Sequence, residues 1–323
     1  MPLIEPEGFA AQHACLYLQN TVLSLGADGA SMEPPAGLGE GMLGDIAALD
    51  LQLLRGFQAA GGFGQWRVSQ LFVGTRATVG ARSTLHFDHN DNLFLQIAGT
   101  KRFRLFAPTD GGNLYAFPCF HALDRRAQVN LPSRDEPEHA AQYPRLTSAH
   151  CFEVVLGPGE LLFLPAYWWH EVLTEAEPSA PEDALTVSVN FWFEVNVRKP
   201  LNLPLPAATR LELARQLEAL TAQALGDNML VADFFRGIAR QWRDARRGLS
   251  DEAPHADDEE DANLEGWPGL HAERPDGVSA TRWQALFEYV SFKACLMVGA
   301  PDVLDFLEGL CSPARFDSVR IDA

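Results

Sequence analysis

The chain is short of positive charge and of cysteine. Its 323 residues include 25 lysines and arginines against 43 aspartates and glutamates, which gives a formal net charge of −18 at pH 7. Nucleic-acid binding depends largely on Lys and Arg neutralising phosphates, so a nucleic-acid substrate is disfavoured. The five cysteines show no C-x-x-C spacing. Neither a disulfide scaffold nor a zinc ribbon is therefore indicated.

Long apolar runs and a leader pattern are also missing. The longest apolar stretch, LLFLPAYWW at 161–169, is too short and too interrupted to cross a bilayer. The N-terminal MPLIEPEGFAAQH has no basic region followed by a continuous apolar core. We therefore expect a protein that acts away from the membrane, in the cytoplasm or, in a eukaryotic cell, in the nucleus.

The spacing of apolar residues changes part-way along the chain. From about residue 16 to 193, short apolar and aromatic segments are separated by Gly, Pro and Asn, which is typical of strands joined by turns. From residue 206 the apolar residues recur at helical spacing. We predict a mainly β domain over 1–200 and a helical region over 201–323. The latter comprises helices at about 206–245, an acidic linker at about 249–270, and terminal helices at about 279–310.

Three side chains in the β region have the chemistry of a metal site. If 82–90 is a strand, His86 and Asp88 point to one face and Phe87 to the other. A third ligand has to come from a distant strand, and His170 at the end of GPGELLFLPAYWWH is the candidate. Two histidines and one carboxylate form the facial triad of non-haem Fe(II) oxygenases, which leaves positions open for substrate and oxygen. An H-x-D pair by itself is a weak signal.

Lys101 follows a turn at Gly99 and shares the apolar face of its strand with Phe103 and Leu105. A buried ammonium is costly unless it is paired, and no carboxylate lies nearby at strand spacing. The missing anion is therefore predicted to be a ligand carboxylate. Alternatively, Lys101 lies at the mouth of a barrel and extends to water.

Four blocks of the sequence resemble the JmjC-type Fe(II)- and 2-oxoglutarate-dependent oxygenases, and among them the asparaginyl hydroxylases. They are LHFDHNDNLFLQIAGTKRFRLFAP, DRRAQV, VVLGPGELLFLPAYWWHEV and TVSVNFWF. The resemblance implies that residues 1–200 form a JmjC, cupin-like catalytic domain with a double-stranded β-helix (jelly roll). It also implies a dioxygenase that uses Fe(II), 2-oxoglutarate and O2 to hydroxylate a protein side chain, with succinate and CO2 as coproducts.

The resemblance also assigns roles to individual residues. The catalytic metal ligands fall on His86, Asp88 and His170. The residues implied to bind the cosubstrate are Tyr17, Ser83, Asn92, Lys101, Asn190 and Trp192, with Lys101 and Tyr17 on the distal carboxylate and Ser83 in place of a threonine. The residues implied to bind the protein substrate are Gln19, Arg125 and Arg126.

One of these residues departs from the family pattern. Arg126 stands where the asparaginyl hydroxylases have a glutamine that contacts the target amide. A guanidinium donates hydrogen bonds and accepts none, whereas a glutamine amide does both. Recognition of a target asparagine is therefore in doubt.

The helices after the sheet suggest an oligomer. In the relatives the corresponding helices interlock with a twofold mate, which implies a homodimer whose interface includes Leu213, Leu217, Phe235 and Ile238. The alternative is that these helices pack on their own barrel.

Two other functions remain open. An N-methyl-lysine demethylase uses the same iron chemistry, but the chain lacks the Cys/His zinc module that often accompanies it, which favours hydroxylation. A non-catalytic cupin-like scaffold that binds metal or a small ligand is the second. The complete set of triad, lysine and paired asparagines argues against a scaffold.

Overall fold

A computed structural model describes residues 17–75, 78–133, 135–175, 181, 184–195, 203–251, 278–312 and 315–316. The chain divides into two compact units. The first comprises Met1–Pro108 and His150–Pro200, and the second comprises Thr109–Ala149 and Leu201–Ala323. The predicted domain over 1–200 differs from the first unit by the segment 109–149, which clusters with the C-terminal residues. The predicted acidic linker lies mostly outside the described residues.

The first unit contains two antiparallel sheets. The six-stranded sheet has the order β2-β1-β3-β9-β4-β7, and the three-stranded sheet has the order β6-β5-β8. The strands are β1 Tyr17–Leu25, β2 Met32–Glu33, β3 Trp66–Gly74, β4 Asp91–Ala98, β5 Lys101–Phe106, β6 Phe152–Leu156, β7 Leu161–Leu164, β8 Trp169–Thr174 and β9 Thr186–Phe193. Two helices, α1 Glu40–Ala47 and α2 Leu51–Gly61, connect β2 to β3. The predicted mainly β jelly roll followed by helices is confirmed.

Alternating burial along the strands sets which side chains face the interior. In β5, Lys101, Phe103 and Leu105 are buried while Arg102 and Arg104 are partly exposed, as the period of two predicts. The arginines form ion pairs on the outer face with carboxylates of neighbouring strands. β5 therefore has an ionic outer face and an apolar inner face that includes one lysine.

The segment 82–90 differs from the continuous strand that the sequence predicts. Only Arg82 and His86 form isolated bridges, with Leu173 and His170 respectively. The alternation survives nonetheless, because Phe87 is buried at 1% exposure while His86 and Asp88 are only partly buried. His86 and Asp88 therefore show the expected similar burial, but isolated bridges to β8 hold their segment in place and not a regular strand.

The second unit is helical. Its helices are α3 Pro137–Gln142, α4 Ala207–Leu225, α5 Leu230–Asp251, α6 Ala280–Val298 and α7 Val303–Leu310. Leu217, Phe235 and Ile238 are 5%, 0% and 0% exposed and belong to one apolar cluster, against which Leu213 packs. The prediction that Leu217, Phe235 and Ile238 form a dimer interface is therefore wrong, because α6 and α7 belong to the same cluster and the chain covers this face itself, whereas for the half-buried Leu213 it stays a prediction. The homodimer stays a prediction.

A buried ion pair fixes the interior of this unit. The Arg315 guanidinium donates to Glu218 Oε1 at 2.6 Å and to the carbonyl oxygens of Ala116 and Leu310. The second oxygen of Glu218 accepts from the Cys119 amide at 3.1 Å. Both charged side chains are thus paired within the helical core.

Among the described residues, the helices are too short or too polar to span a membrane.

Candidate metal and cosubstrate site

The structure brings the predicted triad together. One ligand atom from each of His86, Asp88 and His170 lies within 4.8 Å of the other two. Asp88 Oδ2 is 3.9 Å from His86 Nε2 and 3.4 Å from His170 Nε2, and the two imidazole centroids are 4.2 Å apart. Three atoms at this spacing can contact one cation, whose ligand distances to nitrogen and oxygen are about 2.0–2.2 Å.

Hydrogen bonds define which nitrogen of each ring is available. His86 Nδ1 is 2.7 Å from the Thr84 carbonyl oxygen, and His170 Nδ1 is 3.0 Å from the Trp168 carbonyl oxygen. A carbonyl oxygen only accepts, so both Nδ1 atoms donate, and in the neutral ring the lone pair that can bind a metal is then on Nε2, the atom that faces Asp88. Such a contact on the far nitrogen is typical of metal-binding histidines.

Backbone pairing explains why two ligands from distant parts of the sequence meet. The His86 amide donates to the His170 carbonyl at 3.1 Å, and the His170 amide donates back to His86 at 2.7 Å. His170 lies in β8, which is hydrogen-bonded to β5, with Leu105 opposite His170 and Lys101 opposite Thr174. His170 and Lys101 are therefore placed by two adjacent antiparallel strands, and His86 is joined to them by its backbone pairing with His170.

The triad opens into a cavity of about 200 Å³ within the first unit. Every residue implied to bind the cosubstrate lines it, as does Gln19: the set is Tyr17, Gln19, Ser83, Asn92, Lys101, Asn190 and Trp192. The rest of the wall includes Gln70, Phe72, Phe94, Phe103 and Thr174. Their roles toward a cosubstrate stay predictions, but the chain brings them to one place.

Lys101 is buried in this cavity at 3% exposure. Its ammonium donates to Tyr17 Oη at 3.2 Å and to Ser188 Oγ at 2.9 Å, and it lies 5.2 Å from the Phe94 ring centroid. Across the described part of the chain, no carboxylate forms an ion pair with it. Burial lowers the pKa of Lys101 to about 8. The alternative in which Lys101 extends to water is wrong.

Hydroxyl and amide groups of the cavity have spare hydrogen-bonding capacity. The Tyr17 hydroxyl accepts from Lys101, and its proton is free for another acceptor, because burial raises the pKa of Tyr17 to about 12. Ser83 Oγ accepts from the Val172 amide and likewise retains a proton to donate. Among the described residues, the buried side-chain oxygens of Asn92 and Asn190 have no hydrogen-bond partner. A polar occupant would satisfy these groups.

The predicted substrate residues fall in different places. Gln19 is exposed, lines the cavity and donates to Gln70 Oε1 at 3.2 Å. Arg125 and Arg126 lie in segment 109–149 of the second unit, and Arg125 has a positive φ of 66°. The predicted contact of the two arginines with substrate stays a prediction.

Sequence reasoning missed two residues at the site: Ser188, which contacts Lys101, and Gln70, which lines the cavity. Ser188, which accepts from Lys101, shares a face of β9 with Asn190 and Trp192 because the three alternate along the strand. The alternation of side chains along β9 was therefore the sequence signal that could have identified Ser188. Gln70 could have been found only through its pairing opposite Asn190, since β3 and β9 are far apart in the sequence.

Comparison of the sequence with known protein families supports the fold described above. Residues 49–199 match the family described as cupin-like domain. The matched region contains all three triad residues and Lys101, Asn92 and Asn190. The predicted cupin-like fold is thereby confirmed.

Curated relatives match between 36% and 39% of the chain. The Jumonji C domain-containing protein 5 of Drosophila melanogaster is 36% identical over 115 residues, which is 36% of this chain and 25% of that protein. The lysine-specific demethylase JMJ31 of Arabidopsis thaliana is 31% identical over 36% of this chain and 19% of its own length. The human HSPB1-associated protein 1 is 32% identical over 39% of this chain and 24% of its own length. The chain thus matches a quarter or less of each of these relatives.

Proposed function

We propose that this protein is an Fe(II)- and 2-oxoglutarate-dependent dioxygenase that hydroxylates a protein side chain. The single observation that carries the proposal is a cavity with two unlike ends. At one end, three ligand atoms lie within 4.8 Å of one another. At the other, the buried Lys101 ammonium has no carboxylate partner among the described residues. A metal ion and an anionic group of one ligand would complete both ends.

The residues fit the implied metal. Two neutral imidazoles and one carboxylate are the donor set of non-haem iron oxygenases, and three ligands leave the remaining coordination positions open. His86, Asp88 and His170 would hold the ion. Bound iron supplies the activation of O2 that is coupled to oxidative decarboxylation of 2-oxoglutarate.

The residues also fit a dicarboxylate cosubstrate. Lys101 would pair with its distal carboxylate, and the Tyr17 and Ser83 hydroxyls have protons left to donate to the same group. Fixing the distal end orients the keto acid at the metal end, which lowers the entropic cost of reaching the reactive geometry. Phe72, Phe94 and Phe103 line the cavity and would exclude water from it.

A protein or peptide substrate is supported by the relatives, which include a protein named as a lysine-specific demethylase. Those names also keep N-methyl-lysine demethylation as a second candidate for this chain. The finer resemblance to asparaginyl hydroxylases has support from Gln19, which lines the cavity. Arg126, which lacks a hydrogen-bond acceptor, speaks against an asparagine target.

Succinate formation tests the proposal. Purified protein is incubated in air with Fe(II), ascorbate and 2-oxoglutarate, and succinate is measured. Wild-type protein is expected to form succinate, whereas His86→Ala and Asp88→Ala are expected to form none above background. His150→Ala, which removes an exposed histidine outside the triad, serves as the matched control. Absence of succinate from wild-type protein would favour a non-catalytic scaffold.

A second measurement separates the two reactions. Peptide libraries with and without N-methyl-lysine are treated with active protein and analysed by mass spectrometry, while formaldehyde is assayed in parallel. Hydroxylation yields a peptide heavier by one oxygen atom and no formaldehyde. Release of formaldehyde with loss of a methyl group would assign the protein as a demethylase.

A further inference from the structure

The two segments that carry the metal ligands are held together at the turn before β8. Within this turn the Tyr167 amide donates to the Asp88 carbonyl at 2.8 Å. The next carbonyl, that of Trp168, is the acceptor for His170 Nδ1. One short turn therefore contacts the backbone of one ligand and orients the ring of another.

The backbone of this turn is strained. Tyr167 has φ of 66°, in the left-handed region that side-chain-bearing residues seldom adopt. Such a conformation is unfavourable for a residue with a side chain and persists only where neighbouring contacts hold it. The turn thus needs an external restraint to keep its amide and carbonyl groups aimed at the two ligands.

A side chain from another strand supplies such a restraint. Asp91 Oδ1 accepts a hydrogen bond from the Ala166 amide at 3.0 Å. Asp91 is the first residue of β4 and is paired with Phe193 of β9, so its own backbone belongs to the six-stranded sheet. Ala166 is 7% exposed, and the hydrogen bond is partly shielded from water. A hydrogen bond to a carboxylate is stronger than one between neutral groups.

We propose that Asp91 is a positioning residue of the metal site. Its carboxylate holds the Ala166–Trp168 turn against β4. The Tyr167 amide and the Trp168 carbonyl of that turn then position the Asp88 backbone and the His170 ring. The inference rests on the metal site of the proposed function. Without Asp91, the turn relaxes toward an ordinary φ at Tyr167, and the contacts with Asp88 and His170 are lost together.

Co(II) is the probe for this inference, since it binds such donor sets and its visible absorption reports coordination geometry. Affinity is measured by competition with a chromophoric chelator, and the absorption spectrum is recorded for each protein. Asp91→Ala is expected to bind Co(II) about tenfold more weakly, the lower end of the range for partners that orient metal ligands, and with an altered spectrum. Asp91→Asn keeps an acceptor oxygen and is expected to have the Co(II) affinity and the absorption spectrum of the wild-type protein.

Asp50→Ala is the matched control. Asp50 also accepts from one backbone amide, that of Leu53 at 2.9 Å, at the start of α2 and outside the cavity. Its removal is expected to lower stability without changing Co(II) affinity or spectrum. Thermal unfolding of each metal-free variant establishes that it is folded at the assay temperature. Should Asp91→Ala fail that criterion, Asp91→Val, which also lacks an acceptor oxygen and suits a strand, replaces it with the same expected result.

The outcomes separate this inference from the proposed function. Wild-type protein that binds no Co(II) overturns the metal site and the inference with it. Wild-type binding that is unchanged in Asp91→Ala overturns the inference alone. Equal loss in Asp91→Ala and Asp91→Asn also overturns it, because the hydrogen bond to Ala166 would then not be the cause.

Discussion

Two buried cations, one in each unit, have very different surroundings. Arg315 is 5% exposed, and Glu218, itself 1% exposed, neutralises its charge while two carbonyl oxygens accept from it. Lys101 is 3% exposed and contacts two hydroxyls and aromatic rings, with no ion pair among the described residues. Both are equally withdrawn from water, so burial alone does not distinguish their roles.

The two cations differ in whether the protein provides a carboxylate to neutralise their charge. The protein itself satisfies Arg315, which is what a structural ion pair requires, because an isolated buried charge is strongly unfavourable. Lys101 receives two hydroxyl acceptors and nearby aromatic rings but no carboxylate from the described residues, and burial lowers its pKa to about 8. The missing carboxylate is the feature that supports the proposed pairing of Lys101 with an anionic ligand.

The largest effect is expected from breaking the structural pair. Glu218→Gln leaves a buried, uncompensated guanidinium and is expected to lower the free energy of unfolding by about 3–5 kcal/mol, measured by urea denaturation. Asp233→Asn removes one partner of a pair whose aspartate side chain is 62% exposed, and we expect less than about 1 kcal/mol there. Equal losses in the two variants would contradict the comparison.

Lys101→Met tests the other side of the comparison. Removing an unpaired buried charge is expected to leave the free energy of unfolding unchanged or higher, because an apolar side chain suits the site. The KM for 2-oxoglutarate is expected to rise on the order of 100-fold or more through loss of a buried charge partner. Lys293→Met, on α6, is the control for loss of a lysine. A destabilised Lys101→Met protein that retains its KM would show that Lys101 is structural.

The pH dependence of cosubstrate binding gives a smaller effect. Burial disfavours the charged form of Lys101 and sets its pKa at about 8, so the ammonium loses its proton as pH rises through that value. Only the protonated form pairs with a carboxylate. The KM for 2-oxoglutarate is therefore expected to be about tenfold higher at pH 9 than at pH 7. Lys101→Met cannot titrate there and is expected to lose this dependence.

Ser188 is expected to give the smallest effect. Ser188→Ala removes one acceptor of the Lys101 ammonium, at a cost of about 1 kcal/mol, or about a fivefold rise in KM for 2-oxoglutarate, with kcat unchanged. Ser188→Thr retains the hydroxyl and is expected to restore KM. Ser69→Ala is the control, since Ser69 is equally buried but accepts from Trp66 Nε1. Equal effects of the two alanine variants on KM would refute a specific role for Ser188.

Strand parity made part of the site predictable. The period of two placed Lys101 on the buried face of β5 and set His86 and Asp88 on one side of their segment, because that period is a property of extended backbone itself. The left-handed conformation of Tyr167 was not predictable, since tertiary contacts and not local preference impose it. Asp91 and its partner Ala166 are likewise brought together only by the fold.

Helical spacing had a different limit. It identified the apolar residues Phe235 and Ile238 correctly but could not say what covers them, and the interface predicted from resemblance was wrong because α6 and α7 supply the cover. An apolar stripe indicates that one face of a helix is buried, but it does not indicate which element packs against that face. Here the partners are α6 and α7, which lie beyond the acidic segment in the sequence and meet α5 only in the folded chain.

The backbone pairing of His86 with His170 has a consequence for biosynthesis. Strands β4 to β7 lie between the two histidines in the chain, so a ribosome has to make all four before the second imidazole exists. A growing polypeptide therefore presents only the His86 and Asp88 side chains until β8 has been made, and the complete cluster of three side chains can form only after His170 emerges and pairs with His86.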